Sequence, residues 1–150
     1  LTSERPITAG VRSTSSTRPG RVDPSYSAAQ PEVGTDALLP LALGQGADGQ
    51  LVLANPGDGE ASVEVTLGTQ LGGPGVTSTV TVPAGGIGLV PLPRAAVAVV
   101  GIRGEVPGLR AAVVATRKLG RVDGVAVVPI VSNARAGAMP AVGYDPRVGT

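Results

Sequence analysis

The sequence predicts an all-β protein folded as an antiparallel sandwich, and three observations lead there. Apolar and polar residues alternate with a period of two over Ala61 to Leu67 and again over Val76 to Val82, the pattern of strands with one buried and one wet face. Glycine (23) and proline (14) punctuate the chain between short apolar runs, as turn residues do between strands. No segment keeps apolar residues at three-and-four spacing long enough, free of Gly and Pro, to form a helix. The stretch from Arg94 to Val100 comes nearest, and it is crowded with β-branched valine.

Taken in order, residues 1–36 hold only five Val, Leu or Ile residues, and Ser13 to Gly20 (STSSTRPG) has the composition of an exposed loop or linker. The first full apolar run is Ala37 to Leu43, followed by Leu51 to Ala54. Asn55-Pro56-Gly57-Asp58-Gly59 is turn chemistry, because proline presets φ and glycine accepts positive φ. Residues 51–67 therefore read as a hairpin. In the next strand Val63, Val65 and Leu67 take the buried face, and Ser62, Glu64 and Thr66 the wet one. Over Val76 to Val82, Thr77, Thr79 and Thr81 point one way and Ser78, Val80 and Val82 the other. Four further runs follow: Ile87 to Leu92, Val97 to Ile102, Leu109 to Thr116 and Val125 to Val131. Each is bounded by Gly, Pro or Asp.

The total is about seven or eight short strands at even spacing, which indicates a sandwich of immunoglobulin-like or jelly-roll-like type. Its expected core is aliphatic: Val63, Val65, Val80, Val82, Leu89, Val99, Val113 and Val127. The N- and C-terminal segments are expected to be irregular. Residues 1–36 read as the tail of a preceding module plus a linker, residues 37–131 as one sandwich module, and residues 132–150 as an irregular C-terminal segment.

Composition removes most chemistries. The net charge is +1 and the charges are dispersed, so nothing attracts nucleic acid or anionic lipid. With no Cys and no His, thiol nucleophiles, imidazole bases and zinc clusters have no ligands in this chain. Asp58, Glu60 and Glu64 lie close enough in sequence to suggest an acid and base pair, but two flank a glycine turn and the third sits on a wet strand face. Gly46-Ala47-Asp48-Gly49 and Asp58-Gly59-Glu60 offer oxygens to calcium, which needs six to eight at one centre, but neither resembles an EF-hand loop and Asp-Gly is an ordinary turn dipeptide. Gly72 to Gly75 and Gly85 to Gly88 lack the lysine and the following helix of a phosphate loop and read as hairpin loops. Gly101-Ile102-Arg103-Gly104 has the spacing of some RNA-binding loops but lies among strands, with no aromatic platform nearby. Ser13 to Thr17 offers hydroxyls to O-linked sugar, although a plain linker needs no modification. No catalytic, cofactor-binding or metal-binding residue is assigned, and no cofactor is expected.

No apolar run approaches 18 residues, so no helical membrane span is expected, and the first residues lack a signal-peptide core. The chain begins at Leu1 and reads as a piece of a longer protein. Arginine outnumbers lysine eleven to one, as in products of GC-rich genomes.

An internal similarity bears on the N-terminus. Glu4-Arg5-Pro6, Ala9-Gly10-Val11 and Gly20-Arg21-Val22-Asp23 echo Glu105-Val106-Pro107, Ala111-Ala112-Val113 and Gly120-Arg121-Val122-Asp123. The offset is 101 at the proline, 102 at the Ala-x-Val triplet and 100 at the final tetrapeptide, so short gaps separate the copies. Ile7, Ala9 and Val11 alternate with Thr8, Gly10 and Arg12, and this segment is expected to join a sheet as an edge strand, in its own molecule or another copy.

Leu51-Val52-Leu53-Ala54-Asn55-Pro56-Gly57, Val80-Thr81-Val82-Pro83-Ala84-Gly85-Gly86 and Val113-Val114-Ala115-Thr116 resemble the repeated pattern of an uncharacterised family of large actinobacterial proteins, secreted or membrane-anchored. The likeness spans about residues 37–131, with a weaker echo at 1–23. It implies immunoglobulin-like repeats and a cell-envelope location, and it carries no catalytic residue. The expectation is a non-enzymatic extracytoplasmic module, either a structural spacer or a protein-interaction surface. The alternative is a carbohydrate-binding or accessory module for envelope glycan synthesis. A protein or a cell-wall glycan is the expected partner, with self-association through an edge strand as a further route. Nucleic acid and direct membrane insertion by this segment are not expected.

Overall fold

The computed structural model describes residues 10–18, 21–34, 36–43, 46–69, 73–94, 98–104, 106–119 and 122–131. Ten strands account for most of them, and no helix occurs among the described residues. They are β1 (Gly10–Arg18), β2 (Arg21–Ala28), β3 (Asp36–Leu41), β4 (Ala47–Ala54), β5 (Ala61–Gly68), β6 (Gly75–Val82), β7 (Ile87–Pro91), β8 (Ala98–Arg103), β9 (Arg110–Leu119) and β10 (Val122–Ile130). The last eight form two four-stranded antiparallel sheets, ordered β10-β9-β4-β7 and β3-β8-β5-β6, and β1 and β2 pair as a separate hairpin. The all-β antiparallel sandwich expected from the sequence is the fold.

The core lies between the two sheets. Leu51 and Leu53 of β4, Val63 and Val65 of β5, Val82, Val100, Val113 and Ile130 are fully buried. Among the described residues, aliphatic side chains fill this layer, each supplying about 1.5 to 3 kcal/mol on burial. On β5 and β6 the expected faces hold: Ser62 and Glu64 are exposed beside buried Val63 and Val65, and Val80 packs on the core while Thr79 and Thr81 are exposed.

Other expectations give way. Residues 51–67 are not a hairpin: β4 pairs with β7 and β9, whereas β5 pairs with β6 and β8, so the connection is an arch crossing from one sheet to the other. The Gly85 to Gly88 segment is likewise an arch, between β6 and β7. Turn residues specify a reversal of the chain, but not whether the next strand pairs with the last or faces it.

Two expected core residues also face outward. Leu89 is 52% exposed while its neighbour Val90 packs on the core, and Val127 lies on the face opposite Val128 and buried Ile130. The side chain of Val99 lies outside the described ones, and Val100 and Ile102 supply the buried face of β8. A continuous apolar run leaves strand parity unread, and a one-residue slip flips every side chain.

The N-terminal segment is not irregular. Ser13 to Arg18, expected as a linker, continues β1, which pairs with β2 from Gly10↔Ala28 to Ser15↔Asp23 and again at Arg18↔Arg21. The shift between Ser15 and Arg18 is one extra residue on β1, a bulge. Gly10 to Arg12 of the expected edge strand thus pair within the chain, while residues 1–9 lie outside the described ones, as do residues 132–150. The hairpin lies against β10, and the stretch after β2 docks on the sandwich. Val33 is buried and donates its N–H to the Leu109 carbonyl at 2.8 Å, Glu32 bridges to Arg110, and the Arg110 guanidinium donates to the Gln30 carbonyl.

Candidate interaction site

The residues with acid-base chemistry do not converge. Asp58 and Glu60 are exposed in the β4–β5 arch, and Glu64 is exposed on β5, opposite Thr79 and Arg103. Asp48 is exposed and accepts from Arg94 Nε at 2.7 Å. No group of three or more acidic ligands gathers among the described residues. Ile102 of the Gly101 to Gly104 stretch is buried in β8 rather than presented on a loop.

The motifs at Asn55 and Pro83 instead build a clasp between the two arches. Asn55 is the one buried polar residue among those described, 2% exposed. Its Nδ2 donates to the carbonyls of Gly59 (2.8 Å), Val82 (3.2 Å) and Pro83 (3.3 Å), and its Oδ1 accepts from the Gly57 N–H at 3.0 Å. Two backbone bonds run alongside, Asn55 N–H to the Gly86 carbonyl and Gly85 N–H to the Gly57 carbonyl, both 3.0 Å. A primary amide suits this position because it offers donors and an acceptor at once. Gly85 has φ 61°, which a side chain would strain. Gly108 has φ 77°, and a Cβ there would stand 3.1 Å from Pro56 Cγ, so the β8–β9 loop closes against the same arch. The sequence marked these segments as turns; their mutual contact was not visible in it.

The two outer faces of the sandwich differ. Across the β3-β8-β5-β6 sheet the rows are polar: Asp36, Arg103, Glu64 and Thr79 stand side by side, next to Leu38, Gly101, Thr66 and Thr77. Thr66 Oγ1 and Thr77 Oγ1 share a hydrogen bond of 2.8 Å. Across the other sheet one row is Leu89, Val52, Ala112 and Pro129, flanked by Pro91, Gln50, Val114 and Val127 on one side and by Ile87, Ala54 and Arg110 on the other. Ile87 is 61% exposed and Leu89 52%. Arg110 is the single charge in these rows, and its guanidinium already donates to Gln30. The result is a nearly uncharged aliphatic face.

Two grooves adjoin that sheet. One, of about 480 Å³, is lined by Leu67, Thr69, Pro74, Val76, Pro91 and Leu92. The other, of about 340 Å³, is more polar, with Asp48, Gln50, Arg94 and Thr116 around Leu92 and Val114.

Residues 1–93, from the N-terminus through β7, match DUF5719, a family of unknown function. The chain belongs to the DUF5719 family. No curated protein and no solved structure matches it. In this DUF5719 chain the matched segment contains the Asn55 clasp whole, together with β4 and β7 of the aliphatic face, and stops before β8. The sequence signal for that face was present in the unbroken apolar runs of β7, β9 and β10, which were assigned to the core alone.

Proposed function

We propose that the chain is a non-enzymatic, extracytoplasmic β-sandwich module of the cell envelope, acting as a structural spacer or a protein-interaction surface. Its setting in this reading is a large secreted or membrane-anchored actinobacterial protein built from repeats of such modules. The observation that carries the proposal is the aliphatic outer face around Val52 and Leu89, since a sheet face with one engaged charge is suited to contact with protein. The arginine-rich, lysine-poor composition accords with the source, and the motifs shared between residues 4–23 and 105–123 support repetition. The dispersal of the carboxylates supports a role without catalysis.

Photo-cross-linking in the producing cell tests the reading. A cross-linker at position 89 should capture a protein that the same group at Thr79, on the polar face, does not. Equal capture at both positions would sink the interaction surface and leave the spacer. A second reading, the accessory glycan-binding module, draws on the polar groove at Asp48, Gln50, Arg94 and Thr116. Saturable binding to one cell-wall glycan class, lost in Gln50→Ala, would favour it over the first.

A further inference from the structure

Four strands of the sandwich stand at sheet edges: β10 and β7 in one sheet, β3 and β6 in the other. An open edge offers a row of unpaired backbone donors and acceptors, and proteins blunt such rows with proline, charge, bulges or brevity. Three of the four edges are blunted in this way. β10 carries Asp123 and Pro129, β3 carries Asp36 and Pro40, and β7 has five residues and ends at Pro91. β6, by contrast, runs for eight residues from Gly75 to Val82 with no proline and no charge. It pairs with β5 without a bulge, from Ala61↔Val82 to Gly68↔Gly75, and among the described residues no strand lies on its other side. Every residue of β6 except Val80 and Val82 is exposed. Val76, 76% exposed, also stands on the wall of the apolar groove with Leu67, Pro91 and Leu92.

The order of residues says what fits this edge. Val76 to Val82 reads nearly the same in both directions about Thr79. Antiparallel pairing of two copies about that residue sets Val76 against the partner's Val82, Thr77 against the partner's Thr81 and Thr79 against the partner's Thr79. Only Ser78 and the partner's Val80 are unlike. Facing β-branched side chains and facing threonines are favourable cross-strand pairs, and the chain already makes one such pair between Thr66 and Thr77, at 2.8 Å. A register centred on a residue keeps each face of one sheet continuous with the same face of the other, because side chains alternate with a period of two. Like charges stay apart: Glu64, opposite Thr79 on β5, lies three strand spacings, roughly 14 Å, from the partner's Glu64.

We propose that β6 pairs antiparallel with β6 of a second copy of this chain, about a two-fold axis at Thr79, so that the two β3-β8-β5-β6 sheets become one. Such an interface uses the same patch on both copies and closes on itself. The outermost strands of the joined sheet are the two blunted β3 strands, so assembly stops at the dimer. The partner's Val82 comes to lie beside Val76 at the groove wall. Both aliphatic faces, carried by the other sheets, point to the same side of the dimer and stay open, so this contact is separate from the interaction surface proposed above.

The chain has no cysteine, so single cysteines test the contact and its register. Sedimentation of the 150-residue chain from about 10 µM to about 1 mM, the range of a weak contact, should show monomer passing to dimer with no larger species. Across the axis the two Thr79 Cα atoms stand about 4.5 or 5.5 Å apart, within disulfide reach, whereas the two Thr77 Cα atoms stand roughly 14 Å apart, beyond it. In oxidised glutathione Thr79→Cys should therefore link into a dimer, while Thr77→Cys and Thr81→Cys should stay unlinked alone and link when mixed. Thr79→Lys sets two ammonium groups face to face and should be monomeric throughout, yet melt with the parent chain at low concentration. A parent chain that is monomeric throughout, linkage of Thr79→Cys no faster than that of Leu89→Cys on the aliphatic face, no linkage in the mixture, or a Thr79→Lys dimer overturns the proposal. Slow amide exchange along β6 in a monomer also overturns it, and gives the edge to another segment of the same chain. In the producing cell a cross-linker at Thr79 then captures the chain itself, and one at position 89 another protein, so the two readings fail separately.

Discussion

At the scale of single residues, neighbours along β5 have opposite fates. Val65 is fully buried between the sheets, while Glu64 is exposed opposite Thr79 and Arg103. Val65→Asp places an unpaired carboxylate in an aliphatic core and is expected to unfold the chain. Glu64→Ala should change stability by less than about 0.5 kcal/mol, as surface substitutions usually do. Chemical denaturation followed by circular dichroism separates the two, and equal effects would refute the register. Asn55 makes a second case. Asn55→Ala strands the Val82 and Pro83 carbonyls and the Gly57 N–H at a buried site, with an expected cost of about 2 to 4 kcal/mol. Asn55→Asp should not rescue it, because a carboxylate cannot donate to those carbonyls.

At the scale of the strand, legibility followed polarity. β5 and β6 were readable face by face because Ser, Thr and Glu alternate with Val. β7 and β10 were found as strands but assigned the wrong face at Leu89 and Val127, because their outer residues are as apolar as their inner ones. The aliphatic outer face and the error in parity thus have one origin. The second half of β1 was missed for the opposite reason: Ser13 to Thr17 carries no apolar stripe, and its strand rests on backbone pairing with β2. The arches were missed because the information that distinguishes an arch from a hairpin lies in partners distant in sequence, here Asn55 with Val82 and Gly86. The corrected parity of β7 is itself testable. Val90→Asp should destabilise the fold severely, whereas Leu89→Asp should leave the melting temperature nearly unchanged and improve solubility. The reverse order would restore the face expected from the sequence.

At the scale of the whole molecule, stability rests on two sheets of aliphatic residues, the Asn55 clasp and the docked segment at Val33, with exposed carboxylates playing no joint part. Treatment with a chelator should therefore shift the melting temperature by less than about 5 °C, the equivalent of roughly 1 kcal/mol in a domain of this size. A larger drop in a thermal scan would reveal a structural cation. The exposed ion pair between Asp48 and Arg94 should matter little, since such pairs typically contribute about 0 to 1 kcal/mol. Arg94→Ala is expected to melt with the parent chain.

The Arg12–Tyr26 pair on the β1–β2 hairpin, with the guanidinium 5.9 Å from the ring centre, has an optical consequence. The chain has no tryptophan and no phenylalanine, and of its two tyrosines, Tyr26 and Tyr144, the first stands on the β1–β2 hairpin and the second lies outside the described residues. The core is therefore dark in the near ultraviolet. In a Tyr144→Leu background all intrinsic emission comes from the hairpin, and Arg12→Ala should alter its quantum yield without touching the amide signal of the sheets. In that background the molecule carries a chromophore for its outlying hairpin alone, so emission and far-ultraviolet ellipticity, recorded on one sample, report two separate melting events.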